Sequence, residues 1–580
     1  MKQNRTFSIL FPSGSDTVCK ELSPTACHDL GLDTLVQNIT ADSGERTLLL
    51  NILSHITADT KTAAYRTEIF SDIFRLPKLR EQLLGLFDRL EFIRSFGSMH
   101  KDSDERVGIW HLLHRTDELS DYIQCIETMR TALADTDLHA EGLLAFRDYL
   151  DELYDEAGFS EMKADIADLK QRSANIQSVT LGINVNERFE AVSVGLVSVN
   201  DKPFKKSSIV SNFADKLSAR DKIQKGSDWN GDMHYQQIEH LHDSAVTKFM
   251  EGLIGMQTAQ SNPFIDAHTR STLVNIPQGD GVANSTYYLD TILGKMLDSL
   301  VKKLRDTLSK YADIAIINIS QLVPEFLYYI RFAEFIEAQT AKGYSFCAAQ
   351  LLEDADCTMQ AEGFYNLKLA LSLSSPAELV PNDLIFDTDH AVYLLTGANR
   401  GGKTTVTQAV GLLFALAQGG IHVPAVKFAY RPVDCIYTHF PADEDKTMDL
   451  GRLGEECKRF KELYNVCTKD SLLLLNETFS TTSFEEGYYI ARDSVKAMLD
   501  KQVRAIYNTH MHKLAAEAPA INEGRTGAKA ASLIVMSEQG KRSFKIAAAA
   551  PEGFSYAKDI AEKYGVTYEM LTQNHTAQDK

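Results

Sequence analysis

Val392-Tyr393-Leu394-Leu395-Thr396-Gly397-Ala398-Asn399-Arg400-Gly401-Gly402-Lys403-Thr404-Thr405 runs from an apolar stretch through a glycine-rich loop into a region with helical spacing. Val392 to Leu395 is a short buried-strand run, and Val406 to Ala417 offers apolar residues at three- and four-residue steps. Between them Gly397, Gly402, Lys403 and Thr404 fill the fixed places of G-x-x-x-x-G-K-[ST]. In that pattern backbone N–H groups wrap phosphates, the lysine reaches the terminal ones, and the hydroxyl ligates Mg²⁺. The stretch predicts a strand–loop–helix unit that cradles a nucleotide, with Ala398, Asn399, Arg400, Gly401 and Thr405 completing the loop.

Two later stretches supply the chemistry such a cradle needs. Ser471-Leu472-Leu473-Leu474-Leu475-Asn476-Glu477 reads as a buried parallel strand that ends in polar groups. Glu477 is the expected general base, polarising a water for in-line attack on the γ-phosphate. Asn476 stands where an aspartate ordinarily supports Mg²⁺, so Thr404 and Asn476 are the expected metal-side pair. The amide accepts a hydrogen bond but supplies no charge. Ala505-Ile506-Tyr507-Asn508-Thr509-His510 reads as a further strand, with His510 placed to contact the γ-phosphate or its attacking water.

Composition limits what surrounds this engine. At 580 residues the chain is long enough for three or four domains. The 60 basic and 79 acidic side chains give a formal net charge of −19, which argues against general coating of nucleic acid but leaves room for a local basic patch. Residues 201–226 form such a patch: Lys202, Lys205, Lys206, Lys216, Arg220, Lys222 and Lys225 face only three aspartates, a surplus of four. They are candidates for phosphate-backbone contact, which is salt-dependent and carries little sequence preference. The eight cysteines contain no C-x-x-C pair, the N-terminus has no signal-like stretch, and no apolar run approaches the roughly 18 residues of a membrane span. A cytoplasmic protein without membrane contact is the expectation.

The expected organisation is α+β and multidomain. Residues 1–42 form a short mixed segment, with Phe7 to Phe11 read as a strand and Pro12, Gly14 and Ser15 as a turn. Residues 43–175 read as a helical core or lever, including helices over Trp110 to Leu133 and Ala140 to Leu169; His111 and His114 read as ordinary helix-surface histidines. Residues 176–234 read as a β-rich, clamp-like insert, because Val179, Leu181, Ile183 and Val185 alternate with polar residues before a second β-branched run from Phe189 to Val199. Residues 235–349 return to helices, with Leu297, Leu300, Leu304, Leu308 and Tyr311 on one stripe and Pro324 in the first turn of a helix from Leu322 to Thr340. Residues 350–580 form the α/β P-loop ATPase domain, entered through a small β-region from Cys357 to Leu384.

Five stretches carry a resemblance beyond the bare pattern: the loop from Thr396 to Thr405 with its Asn399, Ala417-Gln418-Gly419-Gly420-Ile421-His422-Val423-Pro424-Ala425, the upstream Val380-Pro381-Asn382-Asp383-Leu384, Thr509-His510, and the late Phe554 to Ala561. Together, over roughly residues 355–565, they resemble the ABC-type ATPase domain of the MutS family of DNA mismatch repair proteins. The helical arms and β-insert look like that family's core, lever and clamp. The resemblance implies ATP and Mg²⁺ as cofactors, a homodimer that closes ATP between its ATPase domains, and coupling of that closure to clamping duplex or branched DNA.

The chain also departs from the pattern. Too few residues precede the helical part for an N-terminal mismatch-reading domain, and the Phe-x-Glu tripeptides at Phe159-Ser160-Glu161 and Phe332-Ala333-Glu334 lie in helical patterns. Asp449 to Glu456 stands where the family has its trans-acting signature serine; here Gly451 and Arg452 are the groups left to face a partner's γ-phosphate. Leu379 replaces the base-stacking aromatic, and no room is expected for a C-terminal nuclease tail. Two readings follow: a DNA-clamping ATPase without direct mismatch reading, or an ATP-gated dimerisation switch acting on a protein or ribonucleoprotein partner.

Overall fold

The structure is a computed structural model that describes residues 7–86, 109–134, 136–174, 178–188, 191–200, 274–275, 298–311, 322–353, 357–397, 401–441, 451–538, 541–551, 562 and 564–571. Helices and several sheets are mixed along the chain, which gives it an α+β character. Packing divides it into two units, residues 1–84, 135–147 and 321–580 in one, and 85–134 and 148–320 in the other.

The first unit is built on a six-stranded sheet. Its strand order is Ile436–His439, Leu472–Asn476, Arg504–Asn508, Val392–Thr396, Ala530–Glu538 and Lys541–Ala548. The first five run parallel, and the last turns back antiparallel. All five residues of each of the Leu472, Arg504 and Val392 strands are buried, as expected of central parallel strands covered on both faces. The helix Lys403–Gln418 is buried almost all round, so it is a core helix rather than an amphipathic surface one. Gly411 shows how close it lies to its neighbours. A Cβ there would collide with Leu30 Cδ2 and fall 2.7 Å from Leu474 Cδ1. A second, four-stranded sheet is ordered Gln350–Leu351, Lys427–Tyr430, Cys357–Phe364, Asn382–Asp387; its last two strands fall in or start within the expected β-region, and the other two come from outside it.

The far end of the Lys403–Gln418 helix is fixed to the helices that precede the ATPase segment. Gln418 is fully buried; its Nε2 donates to Thr57 O and Val433 O, both at 2.7 Å, and its Oε1 accepts from Val433 N–H. Its carbonyl accepts from Arg66 Nη1, a guanidinium buried in the helix Thr60–Arg75. Tyr328, in the helix Leu322–Ala341, donates to Gly419 O at 3.1 Å. The Gly-Gly pair of the sequence motif exists for this junction. A Cβ at Gly419 would collide with the Tyr328 hydroxyl, and Gly420, at φ +82°, packs on the Arg66 backbone.

Phe7 to Phe11 does not form the expected strand. Ser8 Oγ and Ile9 N–H donate to the Glu325 carboxylate at 3.0 and 2.7 Å, Tyr65 donates to Ser8 O, and Arg66 Nε to Leu10 O. The segment's polar backbone is satisfied by side chains of two helices, so no ladder is needed. The expected turn is present, closed by Ser15 N–H donating to Pro12 O.

In the second unit the helix Ile109–Ala134 packs on Ala157–Ala174 and on Asp298–Ser309, and Leu119, Ile126, Met162, Ile166, Leu304 and Leu308 of these helices are buried. Lys303–Asp168 and Lys310–Asp165 ion pairs edge the packing. The single helix expected from Ala140 to Leu169 is two, Glu141–Asp155 and Ala157–Ala174. Hydrogen bonding restarts at the Glu156 carbonyl, beside Gly158, which weakens helix continuity. Phe159 and Phe332 are buried within helices and present no ring to a base. Ser178–Val185 and Ala191–Asn200 form the expected antiparallel hairpin, joined by a third strand, Val274–Asn275. The basic residues from Lys202 to Lys225, the stretch from Tyr235 to Leu297 other than that short strand, and His111's side chain lie outside the described residues.

Candidate nucleotide site

The cradle begins at Gly397, where φ is +144° and a Cβ would lie 3.0 Å from Val535 Cβ on the neighbouring strand. Gly402, at φ +93°, caps the start of the helix. Only glycine adopts these conformations without strain. Lys403 is 5% exposed, and its Nζ donates to Gly397 O at 3.1 Å, so the ammonium is folded back over the loop. Burial pushes it below its ordinary pKa, and the Glu477 carboxylate opposes that shift. A cation desolvated at a helix N-terminus is a site prepared for an anion. Ala398, Asn399 and Arg400 lie outside the described residues; Gly401, Gly402, Lys403, Thr404 and Thr405 line one cavity of about 440 Å³.

Glu477 lines the same cavity. It follows directly on the Leu472–Asn476 strand at φ +54°, and Phe479 follows at φ +63°. Two non-glycine residues in the left-handed region, so close together, mark strained backbone held by its surroundings. Glu477 N–H donates to Asn508 O at 2.8 Å, Tyr507 donates to Thr478 O at 2.7 Å, and the Thr478 hydroxyl meets His439 Nδ1 at 3.0 Å. The result is that Glu477 Oε1 lies 2.7 Å from His510 Nε2. Both side chains are partly exposed. A carboxylate paired with an imidazole at a solvent-reachable cavity can order a water and take its proton.

The expected metal-side pair is in contact. Thr404 Oγ1 donates to Asn476 Oδ1 at 3.1 Å. The same oxygen accepts from Asn508 Nδ2, which also reaches Thr404 Oγ1 at 3.4 Å. This donor set does not fit a protein-held Mg²⁺, which ordinarily takes one or two carboxylates besides phosphates. Asn476 is neutral and its oxygen already has two donors. Among the described residues no group of three or more His, Cys, Asp or Glu is gathered for a metal ion.

The rest of the cavity has a largely apolar wall. Leu379 lines it, after a short turn of helix Pro376–Glu378, with Val380, Phe364, Tyr365, Leu369 and Leu373. Asn366 fixes this wall to the cradle: its Nδ2 donates to Thr405 O at 2.8 Å while its Oδ1 caps the helix Leu367–Ser372. Phe544, at φ +57° and 45% exposed, brings a ring to within 3.4 Å of a Cβ at Gly402. Sequence reasoning missed Asn366, Asn508 and Phe544. Asn508 was within reach, since it directly precedes Thr509-His510; Phe544 offered no motif.

Residues 393–576 match the family model described as MutS domain V, and residues 58–341 match the one described as the MutS2 N-terminal domain. The chain belongs to the MutS family. It is 29% identical over 194 residues to Endonuclease MutS2 of Thermus thermophilus, covering 33% of this chain and 25% of that protein. It is 32% identical over 171 residues to the probable DNA mismatch repair protein Msh6 of Drosophila melanogaster, covering 29% of this chain and 14% of that protein. With Endonuclease MutS2 of Bacillus velezensis it shares 25% identity over 246 residues, covering 42% of this chain and 31% of that protein. The matched stretch spans less than a third of the length of each of these relatives.

Within this MutS-family site, Gly451 opens the helix Gly451–Val466 and Arg452 is exposed in its first turn. Residues 442–450 and the late Phe554 to Ala561 motif lie outside the described residues. Glu456, one turn along the same helix, is hydrogen-bonded to Thr481 and to the backbone of Phe479; burial nevertheless raises its pKa. The helix that carries Gly451 and Arg452 is thereby tied to the strained loop that follows Glu477. Among the described residues no helix is long and apolar enough to cross a membrane, and all eight cysteines are free.

Proposed function

We propose that this MutS-family chain is an ATPase that binds ATP in the Gly397–Thr405 cradle, dimerises around it, and couples that step to clamping duplex or branched DNA in repair or recombination. The observation that carries the reading is one cavity lined by buried Lys403, the helix N-terminus at Gly402 and Glu477, whose carboxylate is paired with His510. Lys403 and the loop N–H groups hold the terminal phosphates. Leu379 and Phe544 enclose the base. Glu477 polarises the attacking water, with His510 holding the carboxylate in place and accepting charge as the proton transfers. Gly451 and Arg452 are assigned to the partner's γ-phosphate, and Lys202 to Lys225 to the DNA backbone.

The alternative, an ATP-gated dimerisation switch with slow hydrolysis on a protein or ribonucleoprotein partner, is favoured by the neutral Asn476 and its bond to Asn508. One experiment separates the two. The ATPase rate is measured with homoduplex, mismatched and branched DNA at low and high salt, on the preparation used to follow dimerisation by sedimentation. The clamp reading expects ATP-dependent dimers and stimulation by at least one DNA that fades as salt rises. Absence of affinity for every DNA at low salt contradicts it and leaves the switch.

A further inference from the structure

Asn476 and Asn508 lie opposite each other on adjacent parallel strands, in register, and are 7% and 0% exposed. Asn476 Oδ1 accepts from Asn508 Nδ2 and from the Thr404 hydroxyl. Asn508 Oδ1 is buried and has no hydrogen-bond partner, an arrangement that ordinarily needs a reason in a native core. The two amides and the hydroxyl form a neutral, internally bonded cluster directly behind the phosphate cradle.

We infer that this amide pair makes nucleotide binding nearly independent of divalent cation, an inference that rests on the nucleotide reading above. A carboxylate at this position would face the terminal phosphates with like charge, and a cation would have to stand between them. The amide removes that repulsion. Asn508 Nδ2 also occupies the Asn476 oxygen that a metal-bound water would otherwise use, and such supporting contacts govern metal affinity. Charge neutralisation then falls to Lys403 and the helix N-terminus. Asn508 acts here as a positioning residue through Asn476 and Thr404.

The test is equilibrium binding of N-methylanthraniloyl-ATP to the full chain in EDTA and in excess MgCl₂. The wild-type protein is expected to show dissociation constants within about threefold of each other. Asn476→Asp, nearly isosteric and so retaining the fold, should raise that ratio by about tenfold or more, chiefly by weakening binding in EDTA. Asn508→Ala should raise it in the same direction by freeing the Asn476 oxygen. A wild-type ratio above about threefold, or either variant leaving the wild-type ratio unchanged, overturns the inference. Binding absent in both buffers overturns the nucleotide reading itself, which separates the two failures.

Discussion

At the scale of single residues, the parts that chemistry fixes by type and spacing were legible: Gly397, Gly402, Lys403, Thr404, Glu477 and His510 were all named from the sequence, and in the structure Gly402, Lys403, Thr404 and Glu477 line one cavity, with Lys403 bonded to Gly397 O and Glu477 paired with His510. Asn508 and Phe544 were not, because their roles depend on which strand pairs with which. The Asn476–Asn508 bond exists only through the register between two strands separated by a helix. Two histidines carry a testable pH dependence. His422 sits against Phe70 and Phe74, and His439 is buried beside Thr478; burial pushes both down to about 4, with Arg459 adding to the effect at His439. The unfolded value is near 6.5, so the folded state binds fewer protons between the two values. Their contribution to stability is complete above about pH 6.5 and is lost as pH falls toward 4. The denaturation midpoint should therefore drop between pH 7 and pH 5. His422→Phe should flatten that drop; an unchanged slope contradicts the assignment.

At the scale of elements, the strands and helices of the ATPase segment followed from pattern because each is dominated by its own burial. The Leu472–Asn476 run could only be a strand covered on both faces. Phe7 to Phe11 misled for the opposite reason, since its backbone partners are side chains from elsewhere in the chain. The Gln-Gly-Gly motif was recognisable as a motif, yet its task appeared only with Arg66 and Tyr328 in place. This junction links the cradle helix to the Thr60–Arg75 and Leu322–Ala341 helices. Gln418→Ala leaves two carbonyls and one N–H buried without partners, and should destabilise the first unit by about 3 kcal/mol. Gly420→Ala adds a left-handed backbone penalty of about 1–2 kcal/mol to a clash with Arg66. Chemical denaturation reads both. Losses below about 0.5 kcal/mol would mean the junction is loose.

At the scale of the whole molecule, the change from helical period to alternation near residue 176 correctly announced the hairpin, and the return to helical spacing announced the helices that carry Leu304 and Phe326. What linear pattern does not convey is packing: the first unit gathers the N-terminal segment, the early helices and everything from residue 321 onward, contacts made across hundreds of residues of chain. The proposed dimer formation and DNA clamping belong to this scale, and both rest on ATP being bound and turned over at the Gly397–Thr405 cradle. The most direct measurement is ATP binding together with single-turnover hydrolysis for the wild type, Lys403→Ala and Glu477→Gln. Lys403→Ala should bind no ATP; Glu477→Gln should bind with near wild-type affinity, hydrolyse at least about a hundredfold more slowly and accumulate as a dimer. Wild-type hydrolysis by Glu477→Gln, or wild-type binding by Lys403→Ala, would contradict the account.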